Sequence, residues 1–198
     1  TYLELKGQPC YALNNDNPVR KSIVSSRTFS KKTNSLDEIS TAVLQNIVTA
    51  TERLRKHKLK TQQMSIFIQS SPYHPNYKSH WGQIILEEAS SSWLDFYKAS
   101  RKVISGFIRP NTTYYVKSGV LCHHLSDEDA VQCSLFNTND IKTAQIMTVV
   151  DGINNKWGRG TLQSASLVQP FSPWKMSQSY SSPRYTSAWS ELATARIA

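Results

Sequence analysis

Residues 35–54, SLDEISTAVLQNIVTATERL, decide the fold that we predict for this chain. Ser35 and Glu38 form a capping box, in which each side chain bonds a free backbone N–H at the start of a helix. Apolar residues then recur at helical spacing: Ile39, Val43, Ile47, Ala50 and Leu54. A helix with one apolar stripe must bury that stripe against another layer. The stretch therefore predicts an amphipathic helix that packs on a sheet.

Four strand-like segments and a second helix surround this stretch. Residues 19–29, 64–68, 81–86 and 114–125 are rich in β-branched and aromatic side chains, and residues 92–107 repeat apolar residues at helical spacing. The order is strand, helix, strand, strand, helix, strand. It predicts an α+β fold, a four-stranded antiparallel sheet with both helices on one face, because each helix has a single apolar stripe. The other face of the sheet is then open.

After Leu125 the chain changes character. An acidic run at 127–129 precedes a polar stretch, and a short helix is predicted over 141–153. Residues 161–168 have the composition of a strand. The remainder is rich in Ser, Pro and Trp and lacks apolar periodicity, which predicts a small, mostly irregular C-terminal tail.

The positive charge is confined to the first two thirds of the chain. The net charge is +9, from 23 Lys and Arg against 14 Asp and Glu. Residues 1–126 contain 17 basic and 8 acidic side chains, whereas residues 127–198 contain 6 of each. Such a basic surface attracts polyphosphate, because each neutralised phosphate releases condensed counterions. A solvated lysine-rich face that maintains solubility is the alternative.

Membrane, disulfide and metal sites find little support in the sequence. No apolar run approaches the ~20 residues needed to cross a bilayer, and no signal peptide is recognisable. Cys10, Cys122 and Cys133 are odd in number and far apart, which fits a reducing cytoplasm. Residues 122–124, Cys-His-His, point to alternating faces of a strand and cannot easily converge on one ion. Because the sequence begins at Thr1, we expect it to be the C-terminal part of a longer protein.

Five motifs then occur in a fixed order. They are LKGQPC at 5–10, SSRTF at 25–29, Gln132-x-x-Leu135-Phe136, DGIN at 151–154 and SPRYT at 182–186. Together they resemble the C-terminal part of the UmuC family, the catalytic subunits of DNA polymerase V. These are Y-family translesion enzymes of the bacterial SOS response. The resemblance extends over essentially the whole chain.

The resemblance implies a division into four parts. Residues 1–16 are the end of the thumb and a tether, and residues 17–126 are the little finger, which grips DNA. Residues 127–140 form a linker that binds the sliding clamp (the β clamp). Residues 141–198 form the UmuC-type tail, with a UmuD-type subunit and RecA as the implied partners. The resemblance also implies a cytoplasmic, nucleoid-associated bacterial protein.

Catalysis in this family belongs to a part that precedes Thr1. The carboxylates that hold Mg²⁺ lie in the palm, which is not among these residues. The resemblance therefore implies that this fragment binds DNA primer–template and proteins, holds no cofactor of its own and performs no nucleotidyl transfer alone.

The candidate clamp-binding residues are Gln132, Leu135 and Phe136. A flexible peptide of this kind can place an aliphatic and an aromatic side chain in one apolar pocket while the glutamine bonds at its rim. The acidic and polar flanks favour exposure. A buried turn of the tail is the alternative.

The candidate DNA-binding residues lie in the first strand and the loop after it. They are Lys21, Ser25, Ser26, Arg27, Thr28, Lys31 and Lys32. Ammonium, guanidinium and hydroxyl groups suit phosphate oxygens, so these residues would grip the backbone without reading bases. The basic residues between Arg53 and Lys60 either touch DNA or solvate a helix end.

Two other classes of protein share parts of this pattern. An RNA-recognition domain has the same order of strands and helices, but its aromatic Lys/Arg-Gly-Phe/Tyr signature is missing from residues 65–69 and 82–86. A pure interaction scaffold would leave the localised positive charge unexplained. The sequence therefore favours the DNA-gripping and clamp-binding end of a translesion polymerase.

Overall fold

A computed structural model of the protein describes residues 2–11, 20–107, 113–130, 139–167, 180–192 and 194. Within these residues it contains four strands and three helices of three or more turns. The elements are α1 (Tyr2–Leu5), β1 (Ile23–Thr33), α2 (Leu36–Lys56), β2 (Leu59–Ser70), β3 (Ser79–Ser90), α3 (Trp93–Phe107), β4 (Tyr115–Asp127) and α4 (Asn139–Trp157). Short 3₁₀ turns follow at Glu128–Ala130, Ala165–Leu167 and Trp189–Glu191. The sheet has the order β1-β4-β2-β3, and all neighbouring strands are antiparallel.

One core joins the sheet to α2 and α3, and it confirms the predicted α+β fold. Alternate residues of the strands point into it, among them Ile66, Ile84 and Val120, which are at most 3% exposed. The helices contribute their apolar stripes: Ile39, Val43, Ile47, Ala50 and Leu54 from α2, and Phe96 and Ile104 from α3. Both helices therefore cover the same face of the sheet, and the opposite face stays open.

The start of α2 is capped by Ser35, which is one half of the predicted capping box; the Ser35 N–H donates to the Thr33 hydroxyl at 3.1 Å and not to the Glu38 side chain. The Ser35 hydroxyl accepts a hydrogen bond from the Glu38 backbone N–H at 3.5 Å. Asp37 and Glu38 lie in the first turn, and Arg53, Arg55 and Lys56 lie in the last. This distribution of charge complements the helix dipole.

A glycine sets the distance between α3 and the sheet. A Cβ atom at Gly82 of β3 would lie 2.3 Å from side-chain atoms of both Val103 and Phe107. Only a residue without a side chain lets α3 approach β3 this closely.

A buried amide joins α2 to the two strands beneath it. Asn46 is 5% exposed, and its Oδ1 accepts a hydrogen bond from the Ser25 hydroxyl at 3.2 Å. Its Nδ2 donates to the backbone oxygen of Ser118 at 3.4 Å. Because α2, β1 and β4 all contribute to this network, it fixes the register of the helix on the sheet.

Helix α4 forms a third layer on the outer side of α2. It is longer than the predicted 141–153 segment, and Met147 is 2% exposed. The predicted strand at 161–168 is wrong for the described residues 161–167, which contain bends and a 3₁₀ turn. The reason is local, because the Asn154 side chain bonds both the backbone N–H and the carbonyl of Leu162, at 2.8 and 3.0 Å. These bonds turn the chain back along α4.

We expect the substitution Asn46→Ala to lower the free energy of unfolding by about 2 kcal/mol, because it leaves the buried Ser25 and Ser118 groups without their partner. Urea unfolding followed by circular dichroism measures the change. Lys98→Ala, at an exposed position of α3, is the control and should cost less than about 0.5 kcal/mol. Equal losses in the two variants would contradict a specific role for Asn46.

Candidate nucleic-acid interface

The open face of the sheet is organised in rows that run across all four strands. One row consists of Ser26, Gly119, Phe67 and Trp81, and the next consists of Thr28, Lys117, Gln69 and Ser79. Trp81 is 55% exposed, and Val24 and Ile85 on neighbouring rows are also exposed. This face therefore presents hydroxyl, cationic and aromatic groups to solvent.

The structure brings most of the candidate DNA-binding residues together on one edge strand. Ser26 and Thr28 are exposed on β1, beside Gly119 and Lys117 of β4. Arg27 is exposed too, but it lies opposite the buried Ser118, so its side chain leaves the edge strand on the side of the helices and not on the open face. Lys31 and Lys32 are exposed near the end of the strand. Lys21 is exposed just before β1 begins. These six side chains form what we call the β1 edge.

Ser25 is placed differently from its predicted neighbours. It is 6% exposed, and its hydroxyl donates to Asn46 under α2. A buried hydroxyl with this partner cannot reach a phosphate in solvent. Its role in the structure is to hold the helix on the sheet.

A bulge near the end of β1 exposes both of its lysines. The register passes from Thr28 opposite Lys117 to Thr33 opposite Tyr115, so β1 uses more residues than β4 over this stretch. In a regular strand, neighbouring residues point to opposite faces, and a bulge breaks that alternation. Lys31 and Lys32 are consequently both exposed, and the Lys32 ammonium lies 5.9 Å from the centre of the Tyr114 ring.

Register also adds cations that the sequence analysis did not identify. Lys117 lies next to Thr28, and Lys78 immediately precedes β3 at the same end of the sheet. β1 and β2 contain no acidic residue, and those of β3 and β4, namely Glu87, Glu88 and Asp127, lie in the last four positions of their strands. The end of the sheet that carries Lys32, Lys78 and Lys117 is therefore strongly basic.

Arg53 and Arg55, at the end of α2, have structural partners. The Arg53 guanidinium donates to the Val24 carbonyl at 2.7 Å. Arg55 forms a two-point ion pair with Asp151 of α4, at 2.6 and 2.8 Å, and also donates to the Ser91 carbonyl. Arg55 therefore belongs to the contact between helices.

The Cys-His-His segment does not converge on one point. Cys122 lies in the core, where burial raises the pKa of its thiol to about 12. His123 lies beside Ser65, with its Nε2 3.0 Å from the Ser65 hydroxyl. Within the described ranges, no group of three His, Cys, Asp or Glu side chains is placed to hold a metal ion. These residues do not fit a Mg²⁺ site.

The candidate clamp-binding residues Gln132, Leu135 and Phe136 lie outside the described residues. On their N-terminal side, β4 ends at Asp127 and an exposed 3₁₀ turn follows at Glu128–Ala130. On their C-terminal side, α4 begins at Asn139. In the part of the chain that the structure describes, no helix combines the length and the hydropathy needed to span a bilayer.

Two of the sequence motifs have structural roles in the tail. Asp151 of the DGIN motif pairs with Arg55, and Asn154 holds Leu162. Arg184 of the SPRYT motif forms a 2.7 Å ion pair with Glu191. The Arg184 side chain, as the main cause, holds the pKa of Glu191 below its usual value. Each motif thus stabilises a local turn or contact of the tail.

The impB/mucB/samB family C-terminal domain matches residues 20–135 of this sequence. The chain belongs to this family. A second match, to a domain of unknown function named DUF4113, covers residues 144–195. The first match ends at residue 135, after the sheet domain, and the second begins at residue 144, within α4.

Full-length relatives of the impB/mucB/samB chain confirm its UmuC-type character. UmuC of Salmonella typhimurium is 31% identical over 196 residues, which cover 97% of this chain and 46% of that protein. MucB of Escherichia coli is 29% identical over 201 residues, which cover 100% of this chain and 47% of that protein. The chain therefore spans about half the length of these relatives.

Solved structures that resemble this chain have low sequence identity to it. A Y-family DNA polymerase chimera of Dbh and Dpo4 aligns with a TM-score of 0.42 and 14% identity, over 64% of this chain and 35% of that one. The little finger domain of PolIV, solved in complex with the β-clamp processivity factor, aligns with a TM-score of 0.42 and 14% identity. It covers 59% of this chain and 99% of that one.

We expect Asp151→Ala to loosen α4 from α2, because it removes both hydrogen bonds to the half-buried Arg55 side chain. Hydrogen bonds to charged groups contribute about 1.5–3 kcal/mol, so exchange of the α4 amide hydrogens should accelerate by about tenfold or more. Mass-detected hydrogen exchange measures this. Glu52→Ala breaks only the exposed pair with Arg159 and should change exchange little, since exposed pairs contribute about 0.2–1 kcal/mol. Unchanged exchange in both variants would mean that other contacts hold α4.

Proposed function

We propose that this chain is the DNA-gripping, clamp-binding and partner-binding C-terminal region of an error-prone translesion DNA polymerase that acts in SOS repair and mutagenesis of bacterial DNA. The observation that carries the proposal is the β1 edge. It sets Arg27, Lys31 and Lys32 along one edge strand, with Lys21 just before the strand, together with two exposed hydroxyl groups. Lys117 extends this surface onto β4.

The chemistry of the β1 edge suits a phosphate backbone. Its cations attract phosphates at long range, and the hydroxyls of Ser26 and Thr28 can donate to phosphate oxygens. Contacts of this kind fix the position of a duplex without reading its sequence. A polymerase that copies damaged templates needs such a grip, since it must hold bases of abnormal shape.

The proposal assigns nucleotidyl transfer to the part of such a polymerase that lies outside this sequence. Relatives are about twice as long as this chain, and Mg²⁺ would be held by carboxylates in that other part. The role of the present residues is to bind, orient and retain the primer–template while that part reacts.

The clamp-binding role belongs to Gln132, Leu135 and Phe136. Support for it comes from the motif itself and from its place between the sheet domain and α4. A sliding clamp that encircles DNA would keep the polymerase at the primer end, because release from the β1 edge then leaves the protein tethered nearby.

The tail is the proposed site for a UmuD-type subunit and for RecA. Helix α4 supports this, because Val149 and Trp157 are 60–63% exposed, and Ile146, which also lines the cavity against α2, is 54% exposed. Exposed apolar side chains at helical spacing are typical of a surface that packs against another protein.

We expect Arg27→Ala combined with Lys31→Ala to weaken binding of a primer–template by about tenfold at moderate salt, whatever its sequence. Each lost phosphate contact should also reduce the slope of log affinity against log salt by about 0.9. Fluorescence anisotropy at several salt concentrations measures both quantities.

Lys98→Ala combined with Lys102→Ala is the control for this variant, since both lysines are exposed on α3, which packs on β3 at the other edge of the sheet from β1. It removes the same charge and should change affinity less. Equal losses of affinity in the two double variants would mean that the β1 edge acts only through the net charge of the protein, and would refute the proposed grip.

We expect Leu135→Ala combined with Phe136→Ala to abolish binding to a bacterial sliding clamp, because both apolar anchors are lost. Isothermal titration calorimetry with purified clamp measures the affinity. Leu162→Ala, an exposed leucine of the tail, serves as the control and should bind normally. Clamp affinity that survives the double substitution would exclude this motif as the anchor.

A further inference from the structure

Two aromatic side chains form a stacked pair on the open face of the sheet. Phe67 of β2 and Trp81 of β3 face each other across the strands, with ring centres 4.8 Å apart and an angle of 28° between the planes. The Trp81 indole N–H donates to the Ser79 hydroxyl at 3.2 Å, which fixes its orientation. Phe67 is 7% exposed, whereas Trp81 is 55% exposed. The accessible aromatic surface is therefore that of Trp81.

A glycine on the neighbouring strand keeps this pair flat against the sheet. A Cβ atom at Gly119 would lie 2.4 Å from the Phe67 ring and 2.6 Å from the Ser26 Cβ. The Phe67 ring therefore extends over the β4 backbone, and Trp81 continues the same aromatic layer over β3. We call this layer, formed by Phe67, Trp81 and the bare backbone of Gly119, the aromatic platform.

The charges near the aromatic platform are positive. The Lys117 ammonium lies 5.9 Å from the centre of the Phe67 ring. A cavity of about 640 Å³ is lined by Lys32, Lys78, Tyr77 and Tyr114 among others. It lies three residue positions from Phe67 and Trp81 toward the turn between β2 and β3, which is about 10 Å. The acidic residues Glu87 and Asp127 lie toward the opposite end of the sheet, at least six residue positions from Trp81 along β3 or from Gly119 along β4, which is about 20 Å.

We infer that the aromatic platform stacks unpaired bases of single-stranded DNA, while Lys117 and the lysines of the neighbouring cavity hold the phosphates of the same strand. Aromatic side chains bind single strands of any sequence because every base has a π face. A duplex hides these faces, so the platform needs unpaired nucleotides, such as those of a template ahead of the primer end. The inference rests on the proposed function and specifies the strand state that this part of the sheet recognises.

The test compares two oligonucleotides that differ only in their bases. Fluorescence anisotropy is measured with a labelled dT12 strand and with a twelve-unit abasic strand that has the same phosphates. The wild-type chain should bind dT12 about tenfold more tightly than the abasic strand. Trp81→Ala should remove that difference by weakening dT12 binding about tenfold, the effect of losing one base–aromatic stack. Trp81→Phe should retain most of the affinity.

Two controls separate stacking from the other contributions. Trp157→Ala, which removes an exposed tryptophan of α4, should leave both affinities unchanged. Trp81→Ala should also leave affinity for a blunt duplex unchanged. Arg27→Ala combined with Lys31→Ala should instead weaken binding of the duplex and of the abasic strand alike. Failure of the stacking inference and failure of the phosphate grip are therefore distinguishable.

Several results would overturn the inference. One is equal affinity of the wild type for dT12 and the abasic strand; another is an unchanged preference for dT12 in Trp81→Ala. A third is a dimer in sedimentation equilibrium that Trp81→Ala dissociates without any change in dT12 affinity. In that case the platform is a contact between protein copies.

Discussion

The apolar stripe of α2 buries one face of the sheet, and the rest of the structure depends on this contact. Fully buried aliphatic side chains contribute about 1.5–3 kcal/mol each. Rotating α2 so that its apolar stripe leaves the sheet would therefore cost far more free energy than new surface contacts could supply. Asn46 fixes the position of α2 along the sheet, because its hydrogen bonds to Ser25 and Ser118 form at only one register of the helix. The residues left on the other face, among them Ser26, Thr28 and Trp81, are exposed as a consequence.

Local signals in the sequence predicted the elements but not their full extent. The capping box placed the start of α2 correctly, and helical spacing identified α3. β2 was expected over 64–68, yet it runs from Leu59 to Ser70, because polar residues such as Lys60 and Gln63 are held in the sheet by pairing with β4 and β3. The error at 161–168 has a similar origin, since the composition of a segment contains no information about the Asn154 side chain that turns the chain back.

The sequence likewise predicted part of the candidate site and missed the rest. Charge along the sequence was enough to select the β1 edge, because its basic residues are close together and no acid lies among them. It could not reveal that Ser25 faces the core, nor that a bulge exposes Lys31 and Lys32 together. The aromatic platform needs residues from three strands in register, so a search for one aromatic signature within a single strand could not find it.

The two-point ion pair between Arg55 and Asp151 has a geometric consequence for a complete assembly. The open sheet, α2 and α4 are successive layers, so a protein docked on the outer side of α4 and a nucleic acid on the sheet occupy opposite ends of one stack. They need not compete for space, and α2 acts as a rigid spacer between them. If the proposed function holds, a partner bound on α4 and a strand bound on the sheet would lie at a set distance, because the ion pair fixes α4 to α2.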